Sequence, residues 1–332
     1  MPADSTATST GAVVRAAIAA AARAPSSFNA QPWHFTAHPA GSADQHRVDL
    51  ALDRSRVLAV TDPDAHQARI GCGAALYTLR LSLAVSGHRG DAALLPDPAD
   101  HDLIATVRLD GKHRATPHER ALATAVWRRH TNRRPFLDRP VPPPARTALV
   151  RAAAAEGARL HLLERPTDLG AVADLIRRAD NLLSQNPAHL TEARRWVGGT
   201  GHGDGVPATA AGRPPSPDTL VVLRDLDSPA TPVPFERLPL LAVLTTVGDS
   251  DGDQIAAGQA LQRVLLTACV EGLAVSPLSQ PIEVPTTRRA LGEVVGAPAH
   301  LVLRIGYGHA GVTTPRRPLD EIATGLAEEK RA

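Results

Sequence analysis

The chain has 332 residues, enough to bury a large core and to build two units of ordinary domain size. Its 43% hydrophobic and 21% charged content fits a globular protein, and a net charge of +2 excludes the global imbalance expected of a nucleic-acid binder or of a partner for a strongly acidic surface. No apolar run approaches the ~20 residues of a membrane helix, and the opening residues lack the basic and apolar stretches of a secretion signal, so a cytoplasmic protein is expected.

Taken in order, an alanine-rich helical pattern over 13–24 runs into Pro25, which cannot continue a helix because it lacks an N–H and its ring clashes with the preceding turn. Ser26, Ser27, Asn29 and Gln31 follow on a turn braced by Pro25 and Pro32, and Trp33 and Phe35 then mark one face of a strand over 33–38. Such a turn presents short uncharged donors and acceptors suited to a polar planar ligand; a helix end capped by Ser and Asn accounts for the same residues. Residues 47–52 alternate as a strand. The stretch 65–85 is apolar nearly all round and reads as a buried central helix ended by Gly87. Strand 103–109 and helix 121–128 come next. Cys72 and Cys269 fall in apolar helical patterns and read as small buried residues in a reducing compartment.

The chain then changes character. Arg128, Arg129, His130, Thr131, Asn132, Arg133, Arg134 precede Phe136 and a Pro-Val-Pro-Pro-Pro run. Guanidinium groups pair bidentately with phosphate oxygens, so an anion site and a solvated basic turn both fit. Helix 145–155 and strand 159–163 follow, then a helical pattern ending at Trp196. A Gly- and Pro-rich stretch over 198–237 includes a Gly-x-Gly run, but no strand precedes it and no helix follows directly, so it is not a dinucleotide fingerprint. Strand 238–246 and a second strongly apolar helix, 254–271, lead into a turn through Pro277, Leu278 and Ser279; strand 301–306 and a basic pair, Arg316 and Arg317, close the chain. The two apolar helices match each other: Gly73 to Gly87 and Gly258 to Gly272 are both 14 residues apart (87 − 73, 272 − 258). No His or Cys spacing marks a metal site, and no nucleophile elbow or phosphate loop is present.

The string Ala-Pro-Ser-Ser-x-Asn-x-Gln-Pro-Trp-x-Phe over 24–35 resembles the signature of the flavin-dependent nitroreductase superfamily. The resemblance implies an α+β fold, and it implies flavin contacts at Pro25, Ser26, Ser27, Asn29 and Gln31. The Arg-His-Thr-x-Arg segment resembles the opening segment of a nitroreductase protomer, implying that Arg129, His130, Thr131 and Arg133 hold the flavin phosphate and pyrimidine edge; one extra residue before Phe136 leaves Arg134 as a substitute for Arg133. Pro277, Leu278 and Ser279 correspond to the turn passing flavin N5, and Arg316 and Arg317 to a C-terminal basic pair at the phosphate. In the family the arginine segment comes first; here the Ser/Asn loop does. Two fused nitroreductase-like halves, each with a mainly antiparallel sheet flanked by helices, explain this inversion: 11–115, and 116–332 with a lid at 198–237. The arrangement resembles the Acg-type branch of the superfamily.

That resemblance implies FMN as cofactor, with NAD(P)H as reductant and a small electrophilic acceptor. The alternative is a flavin-sequestering protein whose lid leaves little turnover; a flavin-free relic is a third. Nucleic acid and membrane are not expected partners. The fused chain is a pseudo-dimer that stands alone or pairs further.

Overall fold

The computed structural model describes residues 9–40, 46–198, 203–224, 226, 230–309 and 311–326. Residues 199–202 and part of 225–229, within the stretch expected to form a lid, lie outside the described residues. The helices are α1 (Thr10–Ala21), α2 (His66–Val85), α3 (Pro117–Arg128), α4 (Pro143–Ala154), α5 (Pro166–Ser184), α6 (Pro187–Trp196), α7 (Ala208–Ala211), α8 (Asp251–Val270), α9 (Gln280–Glu283), α10 (Pro285–Val295) and α11 (Leu319–Ile322). The strands are β1 (Trp33–His38), β2 (Arg47–Leu52), β3 (His88–Leu94), β4 (Leu103–Lys112), β5 (Arg159–Leu162), β6 (Leu240–Thr245), β7 (Ala274–Leu278), β8 (Ala299–Gly306) and β9 (Ala323–Thr324).

These strands make two sheets of the same topology, so the fold is α+β. One runs β3-β4-β2-β1, the other β7-β8-β6-β5, and all pairs within these two sets are antiparallel. The short β9 adds to the free side of β1 in parallel, so the end of the described chain returns to the first sheet. Each sheet even carries a register shift at the matching pair, β2 with β4 and β6 with β8. β1 and β2 alternate buried and partly exposed residues, whereas β8 is buried throughout, as a strand covered on both faces must be.

Helices α2 and α8 lie against each other at the centre. Their crossing needs glycine: a methyl group on Gly73 would overlap the Ile255 carbonyl oxygen, and one on Gly258 would overlap that of Ile70. The contact is reciprocal, with each glycine facing the carbonyl three residues before its counterpart. Ile70 of α2 packs into the core of the second sheet, while Ile255 of α8 packs into the core of the first. The N-terminus of α8 is closed by a capping box between Ser250 and Asp253. That of α2 has no such cap at Ala65; instead Asp62 accepts from the Gln67 and Ala68 amides, both at 2.9 Å.

Candidate functional site

The loop after α1 carries three non-glycine residues in the left-handed region: Phe28 at φ 49°, Asn29 at 58° and Gln31 at 55°. Each costs of the order of 1–3 kcal/mol and persists only where surrounding bonds over-determine it. Those bonds are present. Asn29 Nδ2 donates to the Gly205 carbonyl at 3.0 Å and to that of Pro315 at 3.1 Å. Gln31 Nε2 donates to Gly203 at 2.8 Å, and its Oε1 accepts from the Arg317 amide at 3.0 Å. The Gln31 amide donates to Ser26 Oγ at 2.9 Å, and the Ser27 hydroxyl donates to Gln67 Oε1 on α2.

The arginine segment reaches the same place from the other sheet. Thr131 bridges Val275 in parallel, and the Asn132 amide donates to the Val275 carbonyl at 3.0 Å. The segment therefore runs along the open edge of β7, which brings Thr131 and Arg133 beside Ser276 to Gln280. Between these walls lies a cavity with about 1110 Å³ of empty space, its open mouth included.

Of the expected site residues, Pro25, Ser26, Ser27, Thr131, Arg133, Pro277, Leu278 and Ser279 line this cavity. Arg134 does not, so the extra residue in the segment leaves Arg133 as the cavity arginine. Arg133 is half-buried, and among the described residues it makes one side-chain hydrogen bond, NH1 to the Ala210 carbonyl at 3.2 Å; loss of hydration, then the nearby Arg224 charge, lowers its pKa to about 10. Asn29, Gln31 and Arg317 are placed just behind the wall and bond to other parts of the chain. Arg129, His130 and Arg316 form a knot at one end. Arg129 NH2 donates to the Arg23 carbonyl at 3.0 Å, while Arg316 donates to the carbonyls of Ala22, Arg23 and Ala24 at 2.8, 3.1 and 3.1 Å. None of the three lines the cavity, but Pro25 and Thr131, which do, follow Ala24 and His130 directly in the chain.

A family-model comparison finds no match for this chain. Among curated proteins it is 33% identical to Rv3131 of Mycobacterium tuberculosis (strain ATCC 25618 / H37Rv), named as an NAD(P)H nitroreductase, over 93% of this chain and 90% of that protein. The chain belongs to the nitroreductase family. A second relative, acg of the same organism, also carries the name of an NAD(P)H nitroreductase and is 28% identical over 96% of this chain and 97% of its own length. Among solved structures, a nitroreductase with bound FMN from Desulfitobacterium hafniense DCB-2 aligns with 62% of this chain and 98% of its own, at 11% identity and a TM-score of 0.41. The family assignment stands on the sequence match.

Within this nitroreductase-family chain, several cavity residues escaped the sequence reading. Gln67, Ile70 and Gly71 come from α2, Leu261 from α8, and Gln280, His300 and Leu301 from around β7 and β8. Helical periodicity reports burial but not which buried residue faces a void. Val206, Ala211, Arg213, Pro214, Pro215, Leu223, Arg224 and Leu226 line the cavity from the Gly- and Pro-rich stretch. That stretch is tied down: Asp204 pairs with Arg56, Arg224 NH2 bonds Glu283 at 2.5 Å, and Arg224 NH1 meets His189 Nε2 at 3.1 Å. Gly212 sits at φ 84° against the Arg133 carbonyl, where a methyl group would come within 2.8 Å.

His300 also joins a polar chain behind the cavity. Its Nδ1 meets His66 Nε2 at 3.0 Å, and Arg288 NH2 donates to that same His66 nitrogen at 2.8 Å. The ring centroids are 5.2 Å apart and the planes differ by 13°. With the nitrogens at 3.0 Å, that separation means edge-to-edge rings, the geometry of an N–H···N bond. Asp249 lies close enough for the trio to resemble a metal-ligand set. However, Arg288 already donates to Asp249 at 2.6 Å, and two ring nitrogens that share one proton do not offer two lone pairs to an ion. Burial is the first cause that holds both imidazoles neutral; the Arg288 charge adds to it at both, while Asp249 opposes it at His300: His300 is lowered to about 4 and His66 further. No helix among the described residues is long and apolar enough to cross a membrane.

Proposed function

We propose that the chain binds FMN, with the flavin ring in the cavity and the phosphate at the arginine knot, and acts as an NAD(P)H-dependent oxidoreductase on a small electrophilic acceptor. The observation that carries this reading is that Ser26 and Ser27, from the loop before the first sheet, line one cavity with Thr131 and Arg133, from the segment beside the second. The residues suit the group. Arg133 is a half-buried cation with, among the described residues, one carbonyl partner, placed where an electron-rich pyrimidine edge would accept from it. Arg129 is a buried cation and Arg316 a half-buried one; among the described residues both are held by neutral oxygens, backbone carbonyls and, for Arg316, the Thr314 hydroxyl, and both are placed for a phosphate. Ser26, Ser27 and the backbone over 276–279 supply neutral donors and acceptors around a ring. When bound, FMN supplies the redox chemistry, accepting and giving hydride; the chain binds it, orients it and excludes water.

The repeated sheet topology and the reciprocal glycine contact support a fused pseudo-dimer in which each half has kept a different part of one site. A second reading, flavin sequestration, has its own observation. Val206, Ala211, Pro214, Pro215, Leu223 and Leu226 wall the cavity, which supports a lid formed by the described residues of 198–237 that narrows access to the ring.

One experiment tests both. The wild-type chain should carry or take up FMN, and Arg129→Ala with Arg133→Ala should lose it, since each charge-assisted contact contributes roughly 1.5–3 kcal/mol. Undiminished occupancy in the double variant would refute the assignment. Reduction of the bound flavin by NADPH in stopped flow supports the oxidoreductase; retention with no reduction supports sequestration.

A further inference from the structure

Three guanidinium groups crowd the end of α1 without an acid among them. Arg129 and Arg316 donate to the Arg23 carbonyl, at 3.0 and 3.1 Å, so the backbone of residue 23 is the hub of the knot. The Arg23 side chain lies over the Trp127 ring, with its Cζ 5.6 Å from the centroid. Among the described residues, no carboxylate forms an ion pair with Arg23, Arg129 or Arg316. Nε of Arg23 and Nε of Arg129 are both buried without a hydrogen-bond partner, and Arg129 as a residue is only 8% exposed. Burial first, then the charges of Arg129 and Arg23, lowers the Arg316 pKa to about 9; for Arg129, at about 10, burial again leads and Arg23 follows. His130 is held below its ordinary value by the same causes, burial first and then Arg129, Arg23 and Arg316. The carbonyls at the end of α1 offset part of this concentration of positive charge, as cations at a helix C-terminus do. They supply partial charge only, and two buried donors remain unused.

We infer that Arg23 is a third guanidinium of the phosphate site, held over it by stacking on Trp127, so that the knot is built for a dianionic phosphate monoester. This rests on the FMN reading above and adds to it a residue outside every motif that pointed to FMN. Trp127 is 56% exposed and serves as a positioning residue, since a cation over an aromatic face is fixed in place without losing its charge. The paired carbonyl contacts on residue 23 set the other end of the same side chain.

The test compares FMN with riboflavin, which has the ring but no phosphate, by flavin fluorescence quenching with apo-protein at several salt concentrations. Wild type should prefer FMN strongly. Arg23→Gln should weaken FMN binding about tenfold, leave riboflavin unchanged and flatten the salt dependence; Arg23→Lys should recover part of the FMN preference. Equal weakening of both flavins would mean that Arg23 only supports the fold around the ring, and no weakening of FMN would mean that its charge does not reach the phosphate. Either result overturns the assignment while the FMN reading stands. A wild-type chain that binds neither flavin overturns both. Thermal melts of the two variants show whether a loss reflects folding.

Discussion

At the level of single residues, His66 and His300 carry the clearest pH dependence. Arg288 fixes His66 Nε2 as an acceptor, so the shared proton sits on His300 Nδ1, and a second proton on His66 Nε2 would face two donors. Both native pKa values lie below the ordinary 6.5, His300 at about 4, with burial the first cause. Lowered values mean that the unfolded chain binds protons the native state refuses. The stabilisation is therefore fully present above about pH 6.5 and is lost as pH falls toward 4, by about 3 kcal/mol for His300 alone. Asp62 runs the other way: burial raises it to about 6, so its contribution is present at low pH and is lost as pH rises through 6. Urea unfolding of wild type and His300→Gln from about pH 7 to about pH 4.5 separates the two. The wild type should lose up to ~1.4 kcal/mol more per pH unit than the variant. Parallel pH profiles would show that the imidazole pair does not govern acid stability.

Among the elements, α2 and α8 meet at a separation that only glycine permits. Gly73→Ala and Gly258→Ala each force a methyl group into a carbonyl oxygen of the facing helix, so the helices must part. Each should cost roughly 1–3 kcal/mol or more. Since one separation relieves both clashes, the double variant should be less destabilised than the two singles summed; full additivity in thermal or urea melts would argue against a shared contact. Both helices were legible in the sequence because they are apolar nearly all round, and the glycines at their crossing stood out by their matched spacing. Strand β1 was legible at its bounds, since Trp33 and Phe35 alternate between two prolines and a polar loop. Other elements were not. β7 contains Pro277 and reads as a turn; it is a strand because it lies at the sheet edge, where a missing N–H leaves no ladder bond unmade. β3, with His88, Arg89, Gly90 and Asp91, lacks β-branched residues and owes its form to pairing with β4. Arg304, buried mid-strand, is explained only by Glu236, Phe136 and Phe235, brought in from distant loops. At the site, motifs located Ser26, Ser27, Thr131 and Arg133. The left-handed backbone at Phe28, Asn29 and Gln31 has no glycine to announce it, so the turning of Asn29 and Gln31 toward 203–205 and 315–317 stayed hidden.

Over the whole molecule, the two halves repeat a topology but not a site. In the first, α1 leads through the Ser/Asn loop into β1. In the second, α4 leads through Glu156 and Gly157 directly into β5, and Glu156 is already paired with Arg80 at 3.3 Å and Arg263 at 2.7 Å. That turn thus carries a carboxylate already held by two arginines where the first half has its Ser and Asn donors. The edges differ in the same sense. β7 carries the arginine segment along its free side through the Thr131 bridge, whereas among the described residues β3, its counterpart, ends its sheet with no segment paired beyond it. A homodimer must have two equal cradles; on the fusion proposed above, with one wall kept in each half, only one is complete. Titration of apo-protein with FMN should therefore reach its end-point at one flavin per 34.9 kDa chain, whether or not chains associate. Native mass spectrometry gives the same count independently of protein concentration. Two flavins per chain would mean that the second half retains a working cradle in spite of Glu156. One flavin per two chains would mean that the cavity between α2 and β7 is completed by another copy, contrary to a loop and an arginine segment that already meet within a single fold.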